Sequence, residues 1–254
     1  NFGDDLENLV SINEPWCVAW LSHYLGEHAP GLCDLSSAVK ASHYVCLGHG
    51  LGVQAARAET EKPIGVVLNF TPGRLETKTK INTEALERYE AVTNTWYLSA
   101  IIKGNYPDVA LQELEGYLPN SWKSDLQNIK EPIDFIGINY YTTVLLKSGG
   151  DKFPFVEIIE RDLPKTDMGW DVEPAGLRDA INLVSDYAPN LPLYITENGM
   201  ASKNAIADID RIEYYKQHLN EVAKAAETLP VNGYFAWSLL DNFEWALGYD
   251  KRFG

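Results

Sequence analysis

The 254-residue sequence is short of basic charge: 21 Lys and Arg stand against 36 Asp and Glu, giving a formal net charge of −15. No local cluster of Lys or Arg offsets this. Such a chain repels phosphate backbones and anionic headgroups, so neither nucleic acid nor a membrane surface is expected as a partner. Long apolar runs are missing as well. The longest, Ile64 to Leu68 and Leu193 to Ile195, are strand length, far below the roughly 20 residues that a membrane helix needs. Cysteine is scarce: Cys17, Cys33 and Cys46 are an odd number without Cys-x-x-Cys or paired Cys/His spacing. That fits a reduced, cytoplasmic compartment and implies no zinc site. The five histidines, His23, His28, His43, His49 and His218, lack a His-x-x-x-His pair, so no metal and no other cofactor is expected. Gly48-His49-Gly50-Leu51-Gly52 lacks phosphate-loop spacing and lies in a helical pattern. The absence of a Gly-x-Ser-x-Gly elbow argues against an α/β-hydrolase. Nor is there an initiator Met or a charged and apolar leader. The true N-terminus, with any signal peptide, is expected upstream of Asn1.

What is present is an alternation of short β-branched runs with longer amphipathic stretches, the pattern of strand and helix units around a parallel sheet. Strands are predicted at residues 9–13, 64–69, 134–139, 193–196 and 233–238, and helices at 36–59, 84–103, 174–187 and 208–228. Residues 142–172 show no convincing periodicity and carry Gly149-Gly150, Pro154 and Pro164, so they are expected to form a long loop excursion. With no repeat, low-complexity tract or linker, residues 1–254 are expected to be a single catalytic domain. A complete (β/α)8 barrel needs eight strands in roughly 250 residues. Only five are visible here, spaced too closely to hide three more. The fold class expected is therefore α/β, a (β/α)8 TIM barrel lacking its first three βα units and its C-terminal end.

Two of these strands end in a carboxylate within a polar and aromatic setting: Ile12-Asn13-Glu14-Pro15-Trp16 and Ile195-Thr196-Glu197-Asn198-Gly199. In barrel enzymes the C-terminal ends of the strands converge on the active site, so both glutamates would face one pocket. Paired carboxyls are what cleavage of a glycosidic bond requires. One donates a proton to the leaving oxygen, and the other attacks or activates water. The last strand runs on into Trp237-Ser238-Leu239-Leu240-Asp241-Asn242-Phe243-Glu244-Trp245. Sugars present an apolar C–H face and a belt of hydroxyls, which suits flat indoles beside carboxylate acceptors. Trp237, Glu244 and Trp245 fit that task.

These segments resemble glycoside hydrolase family 1, the β-glucosidase and β-galactosidase family, and the likeness runs the length of the chain. Asn13-Glu14-Pro15 is similar to the family's acid/base segment and Thr196-Glu197-Asn198-Gly199 to its nucleophile segment. The resemblance implies that Glu14 is the acid/base, that Glu197 is the nucleophile and that Asn13 binds the sugar 2-hydroxyl. It implies too that Asn139 and Tyr141, in Gly137-Ile138-Asn139-Tyr140-Tyr141, complete the site. Tyr141 would hydrogen bond Glu197 and keep it ionised, while repulsion from Glu197 would hold Glu14 protonated. The configuration is expected to be retained, with carboxyls roughly 5 Å apart rather than more than about 6.5 Å. Glu244 would accept from the sugar's 4- and 6-hydroxyls and repel a 6-phosphate. Trp170 would form a platform for the leaving group, with Trp16 walling the same side and Cys17 packing nearby.

The substrates implied are β-glucosides or cello-oligosaccharides, with β-galactosides and β-fucosides open. The family's site also uses a Gln, a His and an Arg from strands not present here. A sugar-binding or complementing chain inactive alone, and an enzyme that mainly transfers the sugar, are the alternative readings.

Overall fold

The structure, a computed structural model, describes residues 5–203 and 207–254. Its strands, in chain order, are β1 (Leu9–Asn13), β2 (Ile64–Phe70), β3 (Gly73–Leu75), β4 (Phe135–Tyr140), β5 (Val144–Ser148), β6 (Val156–Ile159), β7 (Leu193–Asn198) and β8 (Val231–Ala236). The helices are α1 (Leu35–Arg57), α2 (Lys80–Glu90), α3 (Trp96–Lys103), α4 (Asp108–Leu114), α5 (Trp122–Ile129), α6 (Pro174–Tyr187) and α7 (Ile209–Ala226).

Five strands form one parallel sheet in the order β1-β2-β4-β7-β8. Burial separates its centre from its edges. Every residue of β4, and all but one of β2, is buried, as parallel strands covered on both faces require. In β1 and β8 most positions are at least partly exposed, and each has only one neighbour in the sheet among the described residues. The sheet is therefore an open parallel arc. Side chains alternate across a strand, so Ile136 and Ile138 of β4 join Leu177 and Ile181 of α6 and Trp96 of α3 in the buried cluster. Gly137 and Asn139 take the opposite face.

Local chemistry sets where the helices begin. Asp34 accepts from the Ser37 N–H to cap α1, Thr79 accepts from the Asn82 N–H to cap α2, and Pro174 opens α6. Each supplies or tolerates what the first helical turn leaves unsatisfied. The segment expected as one helix over 84–103 is instead α2 and α3 joined by a π-helical turn, Ala91–Thr95. Asn94 explains the interruption. Its amide donates to the Thr71 carbonyl and to Glu90, and its Oδ1 accepts from the Thr71 N–H at 2.8 Å, satisfying the end of β2 at the cost of regular winding.

The expected loop excursion at 142–172 is corrected by the structure. It contains β5 and β6, which pair antiparallel, and β5 also pairs parallel with β3 to make a second sheet, β3-β5-β6. An ion network pins this excursion to the main body. Arg161 donates to Asp171 and Glu173 and to the Thr143 hydroxyl, Arg74 of β3 binds Glu173 and Asp179, and Lys165 pairs with Asp171. The side chains of Arg161 and Asp171 are only 12% and 9% exposed, so they are poorly screened by solvent.

Removing one member of a buried pair leaves its partner desolvated and uncompensated, typically a loss of about 3 kcal/mol or more. Arg161→Met is expected to destabilise the fold by roughly 3 kcal/mol in urea unfolding, with the Trp170 environment perturbed. A change in stability below roughly 1 kcal/mol would show that Lys165 and Arg74 suffice without it.

Candidate active site

Two irregularities in strand pairing build the site. Between β4 and β7, Ile138 pairs with Ile195 but Asn139 pairs with Glu197, so Thr196 is an extra residue. Between β1 and β2, Val10 pairs with Gly65 but Asn13 with Val67, again two residues against one. A bulge of this kind re-aims the following side chain. Here the shifts bring Asn13 and Glu197 to the face that carries Asn139.

Glu14 then leaves β1 with φ +48°, a left-handed conformation that costs a non-glycine residue about 1–3 kcal/mol unless its surroundings impose it. Its own N–H donates to the Val67 carbonyl at 3.0 Å, which fixes the turn.

Asn139 ties these elements together. Its Nδ2 donates to Glu14 Oε1 at 2.8 Å and to Asn13 Oδ1 at 3.1 Å, while its Oδ1 accepts from the Thr196 hydroxyl at 2.6 Å. It also lies close enough to Glu197 to favour the ionised form of that carboxyl. Tyr141 donates to Glu197 Oε2 at 2.6 Å, its ring set between Trp170 and Phe253 at centroid separations of 5.5 and 6.0 Å. Burial, reinforced by the Glu197 charge, keeps the Tyr141 phenol far above its ordinary pKa, so it remains a donor at any working pH.

Burial raises the pKa of Glu14. The donors Asn139 and Cys17 oppose that rise, and the Glu244 charge adds to it. Glu197 is pushed up to about 7, first by burial and then by the charge of Glu14, against the hydrogen bonds from Tyr141 and Asn139. Tyr141 thus acts on Glu197 in the expected direction, lowering its pKa, but burial and the Glu14 charge outweigh it. One phenolic hydrogen bond does not outweigh desolvation plus a neighbouring carboxylate, and no salt bridge among the described residues reaches Glu197.

The sugar-facing candidates after β8 are placed unevenly. The Trp237 N–H donates to the Asn198 carbonyl at 3.0 Å, and the Trp237 carbonyl accepts from the Tyr215 hydroxyl at 3.2 Å. These bonds hold the segment beside β7. Glu244, half-buried, accepts from Asn242 Nδ2 at 2.8 Å and acts electrostatically on both Glu14 and Glu197. Trp245 is 68% exposed, with one face stacked on His28 at 5.1 Å. Trp16 is half-buried against the core, its indole N–H without a partner among the described residues. No hydrogen bond joins it to the carboxylates.

Two contributors were not anticipated as site residues, Thr196 and Phe253, and Cys17, expected only to pack nearby, has its thiol 3.2 Å from Glu14 Oε2. For Cys17 a signal existed, because a residue three positions on in a helical turn returns to the same face. Among the described residues no group of three or more His, Cys, Asp and Glu could hold a metal ion, and no helix is long and apolar enough to cross a membrane.

The sequence model of glycosyl hydrolase family 1 matches residues 1–254. β-Glucosidase A of Thermotoga maritima is 40% identical over 264 aligned positions that cover 100% of this chain and 59% of that protein. A bifunctional β-D-glucosidase/β-D-fucosidase of Bifidobacterium breve is 38% identical, covering 99% and 60%. Among solved structures, a family 1 β-glucosidase from Thermotoga maritima matches with a TM-score of 0.95 at 40% identity, covering 100% of this chain and 59% of that one. The same enzyme in complex with isofagomine lactam matches equally well. The chain thus spans about three fifths of the length of these relatives, and its open parallel sheet is the corresponding arc of their (β/α)8 barrel.

The raised pKa of Glu197 has a stability consequence. A carboxyl with a higher pKa folded than unfolded binds more protons in the folded state, so stability falls as pH rises between the two values. The penalty is absent below about 4.5 and complete above about 7. Glu197→Gln, which keeps an acceptor for Tyr141, is expected to stabilise the chain by up to roughly 3 kcal/mol at pH 8 and by little at pH 4. Urea midpoints at the two pH values check this, and an equal gain at both would refute it.

Proposed function

Because the chain belongs to glycosyl hydrolase family 1, we propose that it carries the catalytic pair of a retaining β-glycosidase acting on terminal β-D-glucosides, cello-oligosaccharides among them. The likeness to the Bifidobacterium breve enzyme favours β-D-fucosides as a further substrate class, and β-galactosides differ only in the orientation of the 4-hydroxyl. In this reading Glu197 attacks the anomeric carbon while Glu14 gives its proton to the departing oxygen. Glu14 then takes a proton from the water that releases the sugar from Glu197. Two inversions leave the β-configuration unchanged. The observation that carries the reading is the bridging position of Asn139, which donates to Glu14 and lies beside Glu197. It sets two half-buried carboxyls in one hydrogen-bonded cluster at the strand ends.

The remaining roles follow from chemistry. Tyr141 stabilises the charge on Glu197 as the sugar leaves it. Asn13 and Asn139 meet sugar hydroxyls, and Trp237 and Trp245 offer flat apolar faces. Glu244 accepts from the outer hydroxyls and repels a phosphorylated sugar. Trp170, 5.5 Å from the Tyr141 ring, with Trp16, faces the leaving group.

A second reading is favoured by the open edges at β1 and β8 and by a nucleophile with a pKa near 7. In it the chain binds sugar but turns over only when a second chain supplies adjoining strands, and with them a cation to lower the pKa of Glu197.

Hydrolysis of p-nitrophenyl β-glucoside, followed by proton NMR, tests the proposal. β-Glucose is expected as the first product, with kcat/KM following a bell in pH whose acid limb reports the first ionisation of the Glu14–Glu197 pair and whose alkaline limb reports the second. Glu197→Ala should lose about 10³-fold or more, whereas Glu14→Ala should be partly rescued by azide with formation of β-glucosyl azide. The α-anomer as first product would sink the retaining mechanism. Silence alone, followed by turnover on mixing with a chain that supplies the adjoining strands, would establish the second reading.

A further inference from the structure

We propose that Cys17 is a positioning residue for Glu14, and that its thiol fixes Oε2 as the carboxyl oxygen on which the acid's proton resides. The inference rests on the reading of Glu14 as acid/base and deepens it. Cys17 opens the π-helical turn Cys17–Leu21 that follows β1. It is the third residue after Glu14, and the turn returns its sulfur to 3.2 Å from Glu14 Oε2. The other oxygen, Oε1, accepts from Asn139 Nδ2 at 2.8 Å. Both carboxyl oxygens are therefore held, and the backbone beneath them is held as well by the bond from the Glu14 N–H to Val67.

The two partners differ in what they can do. The Asn139 Nδ2 group only donates, and its carbonyl end is occupied by the Thr196 hydroxyl. A proton on Oε1 would turn that oxygen into a hydroxyl, a weak acceptor for the amide. A thiol is both donor and acceptor. When Glu14 is ionised, the Cys17 S–H donates to Oε2. When Glu14 is protonated at Oε2, that O–H turns to the sulfur and Oε1 remains the carbonyl oxygen that Asn139 requires. Only protonation at Oε2 preserves both contacts, so the exchange of roles at the sulfur accompanies the acid and base halves of the reaction.

The surroundings keep the thiol available for this. Desolvation of the half-buried thiol, reinforced by the neighbouring carboxylates of Glu14, Glu197 and Glu244, pushes its pKa far above the ordinary thiol value. It is therefore neither a nucleophile nor a metal ligand at working pH. Glu14 itself is faced by Glu244 from the loop after β8, by His28 from the loop after β1 and by Glu197 of β7. Cys33 and Cys46, by contrast, make no bond to a carboxylate among the described residues.

The S–H stretching band in the infrared spectrum tests the proposal on the intact chain without any need for turnover. The Cys17 band, identified by difference from Cys17→Ser, is expected at lower frequency when Glu14 is ionised. It should move up as Glu14 is protonated, with the same midpoint as the Glu14 carboxyl carbon followed by NMR. A band that does not move with pH means that Cys17 only fills space, and overturns the proposal. As a second measurement, Cys17→Ala removes a donor to the ionised form, so the Glu14 midpoint should rise by roughly half to one unit, and Cys17→Ser should bring it back to or below the original value. An unchanged midpoint in Cys17→Ala also overturns it. If instead these shifts occur but Glu14→Ala hydrolyses glucosides normally, Cys17 and Glu14 are coupled and the acid/base assignment is what fails.

Discussion

The amide of Asn139 commits both of its ends to other strands, donating from β4 across β2 to the end of β1 and accepting from Thr196 of the adjacent β7. A carboxamide can do this because it has donor and acceptor ends at fixed separation. Asp at this position would place a third charge between two half-buried carboxyls, and Leu would leave Asn13, Glu14 and Thr196 without a common partner. The bulges in β1 and β7 make sense in this light. Without the extra residue in β7, Glu197 would fall on the opposite face from Asn139.

The same constraint sets the electrostatic character of the site. Bringing two carboxyls out of water beside one another raises both pKa values, and every donor in the cluster moderates that rise without abolishing it. The fold bears this cost because the surrounding core is closely packed, with β2 and β4 buried almost throughout. The proposed chemistry would draw on the same destabilisation of the ionised form. A carboxyl that ionises too readily cannot donate a proton to an alkoxide leaving group near neutral pH.

Much of this was legible in the sequence, and the illegible parts have identifiable causes. The run Leu9–Asn13 and the helix Pro174–Tyr187 show their bounds directly, because β-branched residues, a helix-opening proline and clean periodicity agree there. Glu14 and Glu197 stood out because each closes such a strand. The small sheet was hidden because β3, β5 and β6 are mixed polar strands, carrying Arg74, Lys147 and Glu157, with no alternation to read. The short helices α4 and α5 fall below the length at which periodicity speaks. The break at Ala91–Thr95 depends on a hydrogen bond to Thr71, twenty-odd residues away, which no local window contains. The raised pKa of Glu197 was hidden for a related reason: the sequence names its partner Tyr141 but not how deeply the pair is enclosed.

The clamp at the far end of the chain has a wider meaning. Arg211 of α7, almost wholly buried, donates to the carbonyls of Met200, Arg252 and Gly254, and the Ser238 N–H donates to the Phe253 carbonyl. The stretch between, with Leu239, Leu240, Phe243 and Tyr249 turned to solvent, is thus stapled at its root and tied along its crest by local contacts, Asn242 to Glu244 and Trp245 on His28. Leu239, Leu240 and Tyr249 can be exchanged while the root keeps Phe253 against Tyr141 and leaves Glu244 and Trp245 in place, so the outer surface is separable from the site beneath it.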